Sequence, residues 1–283
     1  MASFTNFATL SYNGGTTNSN IVTGEILEAL TAVKTAVSAN YSAGDRITYA
    51  LSLVNTGTAA VTDYTVTDNL GGYTVGANTV YPLAYNAGTV RYYINGVLQT
   101  APTVTAGPPL TVTGLTVPAG CSAVLIYETT ATPVAPLATG SSITNTATIT
   151  GGGLTTPITA QATVETANSA DLTISKALSP TTVTENGQIT YTFVISNTGN
   201  TEATATGNVV VTDTFDPILR NIAVTYNGTA WTEGTNYTYN AATGVFTTLA
   251  GQITVPAATF TQNTDGTFTV TPGTATLVIT GTV

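Results

Sequence analysis

Only two lysines occur in the 283 residues, and they open matching runs, Leu30-Thr-Ala-Val-Lys34 and Leu172-Thr-Ile-Ser-Lys176. If these runs are strands, alternation puts Lys34 on the face of Leu30 and Ala32, and Lys176 on the face of Leu172 and Ile174. The same rule groups Asp68 with Val66 and Leu70, Asp213 with Val211 and Phe215, Asn145 with Ile143, Ala147 and Ile149, and Asn6 with Phe4, Ala8 and Leu10. A lysine, an aspartate and an asparagine thus each fall on the apolar side of a strand. Buried charges without partners are costly, so these groups are expected to meet.

Such a trio has a chemistry available. Burial lowers the pKa of an amine and raises that of a carboxylic acid, so both can be neutral together. The neutral amine is a nucleophile toward the asparagine side chain, and the acid hydrogen-bonds the amide carbonyl and moves a proton as ammonia leaves. The product is an amide link between side chains, made once inside a dry core. Lys34 and Asn145 form one candidate link with Asp68 as acid, and Lys176 and Asn6 a second with Asp213. A plain buried Lys–Asp ion pair beside an asparagine is the simpler alternative. The placement of both lysines, each with a matched Asp and Asn, favours the link. Glu128 could serve as acid in the first set, but Gly281 is read in its place in the second, so the aspartates are preferred.

The elements that must carry these residues read as strands. Thr, Val, Ile and Tyr recur in short alternating runs such as Ile47-Thr-Tyr-Ala-Leu-Ser-Leu, Ile189-Thr-Tyr-Thr-Phe-Val-Ile and Ile143-Thr-Asn-Thr-Ala-Thr-Ile. Asn13-Gly14, Asn95-Gly96 and Asn227-Gly228 are hairpin turn signals. Glu25 to Val37 has helical spacing at Ile26, Leu30, Val33 and Val37, but its second copy carries Pro180, so a strand is expected there too.

The strands form a repeat. Ile47-Thr-Tyr49 matches Ile189-Thr-Tyr191, Asn55-Thr-Gly57 matches Asn197-Thr-Gly199, Val66-Thr-Asp68 matches Val211-Thr-Asp213, and Ala123-Val-Leu-Ile matches Thr276-Leu-Val-Ile. The first copy continues to Ser142-Ile-Thr-Asn145-Thr-Ala-Thr-Ile149, whereas the second runs to Val283 without such a strand. Ser3-Phe-Thr-Asn6-Phe-Ala-Thr-Leu10 matches that strand identically at five of eight positions. The expectation is an all-β chain of two tandem immunoglobulin-like sandwiches, the second lacking its last strand. Residues 1–13 would be a donor strand carrying Phe4, Asn6, Ala8 and Leu10, 14–29 a linker, 30–165 the complete domain and 166–283 the incomplete one.

Composition narrows the function. There are 14 acidic and 5 basic residues, a net charge of −9, and no histidine. No basic patch is present to bind a nucleic-acid backbone and no polybasic run to anchor on a membrane surface, and histidine catalysis and histidine metal sites are impossible. Neither a cofactor nor a metal is expected. Cys121 is alone, so no intrachain disulfide forms. The opening residues lack the features of a standard secretory signal, and no apolar run is long enough to span a bilayer.

Lys34, Gly44-Asp-Arg-Ile-Thr-Tyr49, Asn55-Thr-Gly57, Val66-Thr-Asp68 and Ile143-Thr-Asn145-Thr-Ala together resemble the bacterial "domain of unknown function 11" repeat, an immunoglobulin-like surface module often found in tandem. The chain is also similar to isopeptide-forming domains of Gram-positive pilins and adhesins, in which a first-strand Lys bonds to a last-strand Asn beside an acid. That resemblance implies Lys34, Asp68 and Asn145 as one set, and Lys176, Asp213 and Asn6 as a second that joins neighbouring subunits.

Three functions follow as expectations. The first is a structural subunit of an extracellular or cell- or spore-surface fibre, polymerising with itself head to tail by strand donation and locked by Lys–Asn links. The alternative is a monomeric surface stalk or adhesin module with the N-terminal strand folded back in cis. An enzyme acting through paired carboxylates is disfavoured, because Glu25, Glu28, Glu165 and Asp171 fall in linkers without a matched pocket pattern.

Overall fold

The computed structural model describes residues 2–26 and 29–283. Its regular elements are strands, apart from one 3-10 turn at Ala205–Gly207. The chain divides into two compact units, Met1–Ala135 with Ser142–Glu165, and Pro136–Ser141 with Thr166–Val283.

The first unit is a sandwich of two six-stranded sheets. One orders Val97–Leu98, Arg91–Ile94, Ser122–Ala131, Arg46–Asn55 and Leu30–Ala36, with Leu83–Tyr85 also paired to Ser122–Ala131. The other orders Thr103–Thr105, Leu110–Val117, Val61–Asp68, Ser142–Gly151, Ile158–Thr166 and Asn40–Tyr41. Alternation sends Ile47, Tyr49, Leu51 and Leu53 from one sheet, and Tyr64, Val66, Ala147 and Ile149 from the other, into a common core where all are buried. Each large apolar side chain buried this way contributes about 1.5–3 kcal/mol. The Tyr64 and Tyr92 hydroxyls share a 2.9 Å hydrogen bond across the sheets. Leu30–Ala36 is the expected strand and not a helix, while Leu27 and Glu28 lie outside the described residues.

The second unit repeats this plan in shortened form. Its larger sheet orders Leu172–Ser179, Gln188–Asn197, Gly273–Thr282, Arg220–Tyr226 and Thr229–Trp231. The opposing sheet has three strands, Thr212–Thr214, Val245–Thr248 and Tyr237–Asn240. Phe193, Ile195, Phe215, Phe246, Leu277 and Ile279 are among its core residues.

The N-terminal segment differs from the expected single strand and linker. Ala2–Asn6 pairs antiparallel with Val22–Ile26, and Thr9–Tyr12 with Gly15–Asn18. The two ladders share the same two chain segments, so residues 2–26 form one long hairpin with an irregularity after Asn6. The reason is its tip: Asn13 and Gly14 both have positive φ (49° and 78°), the geometry that closes a two-residue hairpin with native twist. Asn95-Gly96 and Asn227-Gly228 turn in the same way.

Candidate functional site

In the first unit, Lys34, Asp68 and Asn145 come from three different strands and are all buried. Lys34 Nζ donates to Asp68 Oδ2 at 2.5 Å, and the two side chains are 0% and 1% exposed. The Leu70 N–H donates to the other carboxylate oxygen at 3.0 Å. The Lys34 ammonium also lies 4.8 Å from the Tyr49 ring centroid and 5.8 Å from that of Tyr127. Burial lowers the Lys34 pKa from 10.5 to about 8, against the opposing pull of Asp68.

Asn145 is fully buried, and neither its side-chain nitrogen nor its oxygen has a hydrogen-bond partner of acceptable geometry. Its amide is nevertheless close enough to the Tyr49 and Tyr127 hydroxyls to offset part of the upward pKa shift that burial imposes on both phenols. A buried amide without partners costs about 1–3 kcal/mol per unmet group, so this position is not explained by hydrogen bonding.

Tyr127 is a site residue that the sequence argument passed over. Its hydroxyl donates a short hydrogen bond to Asp68 Oδ2, the oxygen that also receives Lys34. Burial and the nearby Asp68 carboxylate push the phenol well above its ordinary pKa, so it remains a donor. The signal was there: Tyr127 alternates with Ala123 and Leu125 on the apolar face, where a hydroxyl needs a partner. Glu128 points the other way, toward Arg46 at 3.8 Å on the surface. The backbone register also corrects its counterpart. Glu128 lies opposite Thr48 and Thr280 opposite Thr190, so Thr280, not Gly281, holds that place in the second unit.

The second unit builds the same pair in the same register. Lys34 stands opposite Leu51, and Lys176 opposite the equivalent Phe193. Lys176 Nζ donates to Asp213 Oδ2 at 2.5 Å and lies 4.4 Å from the Tyr191 ring centroid. Here the side chains are 41% and 18% exposed. The expected apolar burial of Lys176 is therefore incomplete, and the cause is the opposing sheet. In the first unit the Asp68 strand is flanked by Leu110–Val117 and by Ser142–Gly151; in the second, the Asp213 strand has Val245–Thr248 on one side and, among the described residues, no strand on the other. Of the inward positions, Leu172 still packs against the core, whereas Ile174, Lys176 and Leu178 are exposed accordingly. Ile279 replaces Tyr127 at this site, opposite Tyr191 as Tyr127 is opposite Tyr49.

Asn6 lies opposite Val22 in the N-terminal hairpin and is exposed, as are Phe4, Ala8 and Leu10. The matched asparagines Asn55 and Asn197 have a different task. Asn55 bonds the Ala59 and Val117 carbonyls and the Gly57 N–H, and Asn197 bonds the Thr201 and Pro256 carbonyls and the Gly199 N–H, so both pin turns.

The fold and this site define an all-β chain with one sealed and one open Lys–Asp site. No family model matches it, and no curated protein does. Solved structures do match. A variant of BcpA, the major pilin subunit of Bacillus cereus, is 15% identical with a TM-score of 0.40, the match covering 94% of this chain and 70% of that one. The N-terminal domain of a Streptococcus gordonii adhesin is 14% identical with a TM-score of 0.35, covering 52% of this chain. This chain spans about a third of that adhesin structure (34%). The pilus backbone protein RrgB of Streptococcus pneumoniae is 12% identical with a TM-score of 0.36, covering 86% and 55%. Pilin and adhesin domains are the class that the Lys, Asp and Asn pattern resembles.

Proposed function

We propose that this chain is the structural subunit of a surface fibre, built head to tail by donation of an N-terminal strand into the second domain of the neighbouring copy. Side-chain amide links lock it, Lys34 to Asn145 within a subunit and Lys176 to Asn6 of the next. The supporting observation is the sheet order of the second unit. It reproduces the first three strands of the six-stranded order and stops at the Asp213 strand, with the Lys176–Asp213 pair left open. An added strand supplies ladder hydrogen bonds and side chains for the uncovered face. Because donor and acceptor are different surfaces, the contact is heterologous and propagates.

In each link the lysine passes a proton to the aspartate and attacks the asparagine Cγ as a neutral amine. The new C–N bond forms, the aspartic acid gives its proton to Nδ2 and takes the second proton from the attacking nitrogen, and the bond from Cγ to Nδ2 breaks, so that ammonia leaves and the aspartic acid remains protonated. At the first site Tyr127 holds Asp68 from the side opposite Leu70 N–H. The asparagine amide has no hydrogen bond of acceptable geometry and lies beside the Tyr49 and Tyr127 hydroxyls.

Intact-mass measurement tests this. Each internal link lowers the mass by one ammonia, and each junction by one more. Boiling in detergent should leave a ladder of multimers whose abundance rises with protein concentration. A full-mass subunit that runs as a monomer at every concentration would overturn the reading, and a monomer lighter by two ammonias would instead favour closure in cis.

The rate should follow the proton shared by Lys34 and Asp68. Below about pH 8 the pair holds that proton, and its transfer from amine to carboxylate makes nucleophile and acid together, so newly made protein should form the internal link at a constant rate. Above about pH 8 the amine gives the proton to solvent and the rate falls about tenfold per unit. Mass spectra of pulse-produced protein held at several pH values measure this, and a rate that rises through pH 8 would exclude the aspartate as proton carrier.

A further inference from the structure

The N-terminal hairpin repeats more than one strand of the first unit. There, Ser142–Gly151 pairs with Ile158–Thr166, placing Ser142 opposite Glu165, Thr144 opposite Thr163 and Asn145 opposite Ala162. In the hairpin, Ser3 lies opposite Glu25, Thr5 opposite Thr23 and Asn6 opposite Val22. Ser, Thr and Asn recur on one strand, Thr and Glu recur on its partner, and the register between them is the same. Abundant threonine can make two single strands look alike. It does not set a common pairing register.

We infer that the donated element is the whole hairpin, with Ala2–Asn6 in the place of the Asn145 strand and Val22–Ile26 in the place of Ile158–Thr166. This rests on the fibre reading and names what the acceptor receives. The vacancy has the matching width. In the first unit two strands separate the Asp68 strand from Asn40–Tyr41. Neighbouring strands lie about 4.8 Å apart, so one donated strand would leave the second position empty. The counterpart of Asn40–Tyr41, at the same offset that relates Lys34 to Lys176, is Thr182–Val183, and it belongs to no strand. Tyr41 is 0% exposed whereas Val183 is 37% exposed. Glu165 N–H donates to the Ala39 carbonyl at 2.9 Å, which sets Glu165 beside residues 39–40; by correspondence Glu25 of one copy comes beside residues 181–182 of the next.

Thr23→Pro separates this from donation of a lone strand. Proline removes a ladder hydrogen bond and breaks the Val22–Ile26 strand. If that strand is donated, ladder formation slows by about tenfold or more. If it merely holds Ala2–Asn6 at rest, loosening it releases the donor, and assembly at the wild-type rate or faster overturns the inference. A second measurement uses a Cys121→Ser background. Copies with Glu25→Cys mixed with copies carrying Thr182→Cys should form mixed disulfides within the ladder, and a full ladder without them would also overturn it. The fibre reading fails separately, by absence of any ladder from the wild-type chain.

Discussion

Replacing Asn6 by alanine is expected to abolish the detergent-resistant ladder altogether. The substitution leaves the strand backbone intact, so copies still associate, but through hydrogen bonds and apolar contacts that boiling detergent disrupts. Lys176→Ala should give the same result from the acceptor side. Lys34→Ala should leave the ladder intact, because its link lies within one subunit. Both lysines sit at the same register position opposite equivalent residues, Leu51 and Phe193, so the contrast isolates which link joins subunits. Denaturing gels with intact masses make the comparison. A ladder that survives Asn6→Ala would remove the inter-subunit assignment, whatever happened at Lys34. A covalent junction also changes the kind of stability the assembly has. A strand that cannot leave when its hydrogen bonds open returns to place, so persistence is governed by bond cleavage and not by the unfolding rate.

The second large effect concerns the first unit. Asn145→Ala removes the cross-link but keeps the Lys34–Asp68 pair. By the chain-entropy argument, a cross-link closing a loop of about a hundred residues is worth about 4–5 kcal/mol. Lys34→Ala removes the link and also the cation beside a carboxylate that is 1% exposed, and loss of one partner from a buried pair costs about 3–5 kcal/mol. Lys34→Ala should therefore unfold at clearly lower denaturant than Asn145→Ala, and Asn145→Ala at clearly lower denaturant than the wild-type chain. Adding Asp68→Asn to Lys34→Ala should recover part of the difference by removing the unpaired charge. Equal midpoints for Asn145→Ala and the wild-type chain would show that no link forms there.

Much of the site was legible in the order of residues because strand alternation is a rigid rule. Lys34, Asp68 and Asn145 could be assigned to inward faces from their neighbours alone, and the structure brings them into one buried cluster. Tyr127 was equally inward-facing, but which oxygen its hydroxyl would meet depends on how two sheets pack, and no local pattern encodes that. The counterpart of Glu128 was misread by one residue for a related reason. A short apolar match, Ala123-Val-Leu-Ile against Thr276-Leu-Val-Ile, can slide by one, whereas the backbone ladder cannot.

The sequence by itself determined the repeat, the all-β character, the pairing of each lysine with an aspartate and the likeness of residues 3–10 to residues 142–149, since these depend on residue type and period. Only the tertiary structure decided that one Lys–Asp pair is sealed and the other open, because exposure depends on which strands cover a face. The same holds for residues 14–26, which look like a linker of small and polar residues when read singly. Their partnership with Ala2–Asn6, in the register of Ser142–Gly151 and Ile158–Thr166, is a property of two chain segments together, and it is fixed by a turn at Asn13-Gly14 that lies outside both.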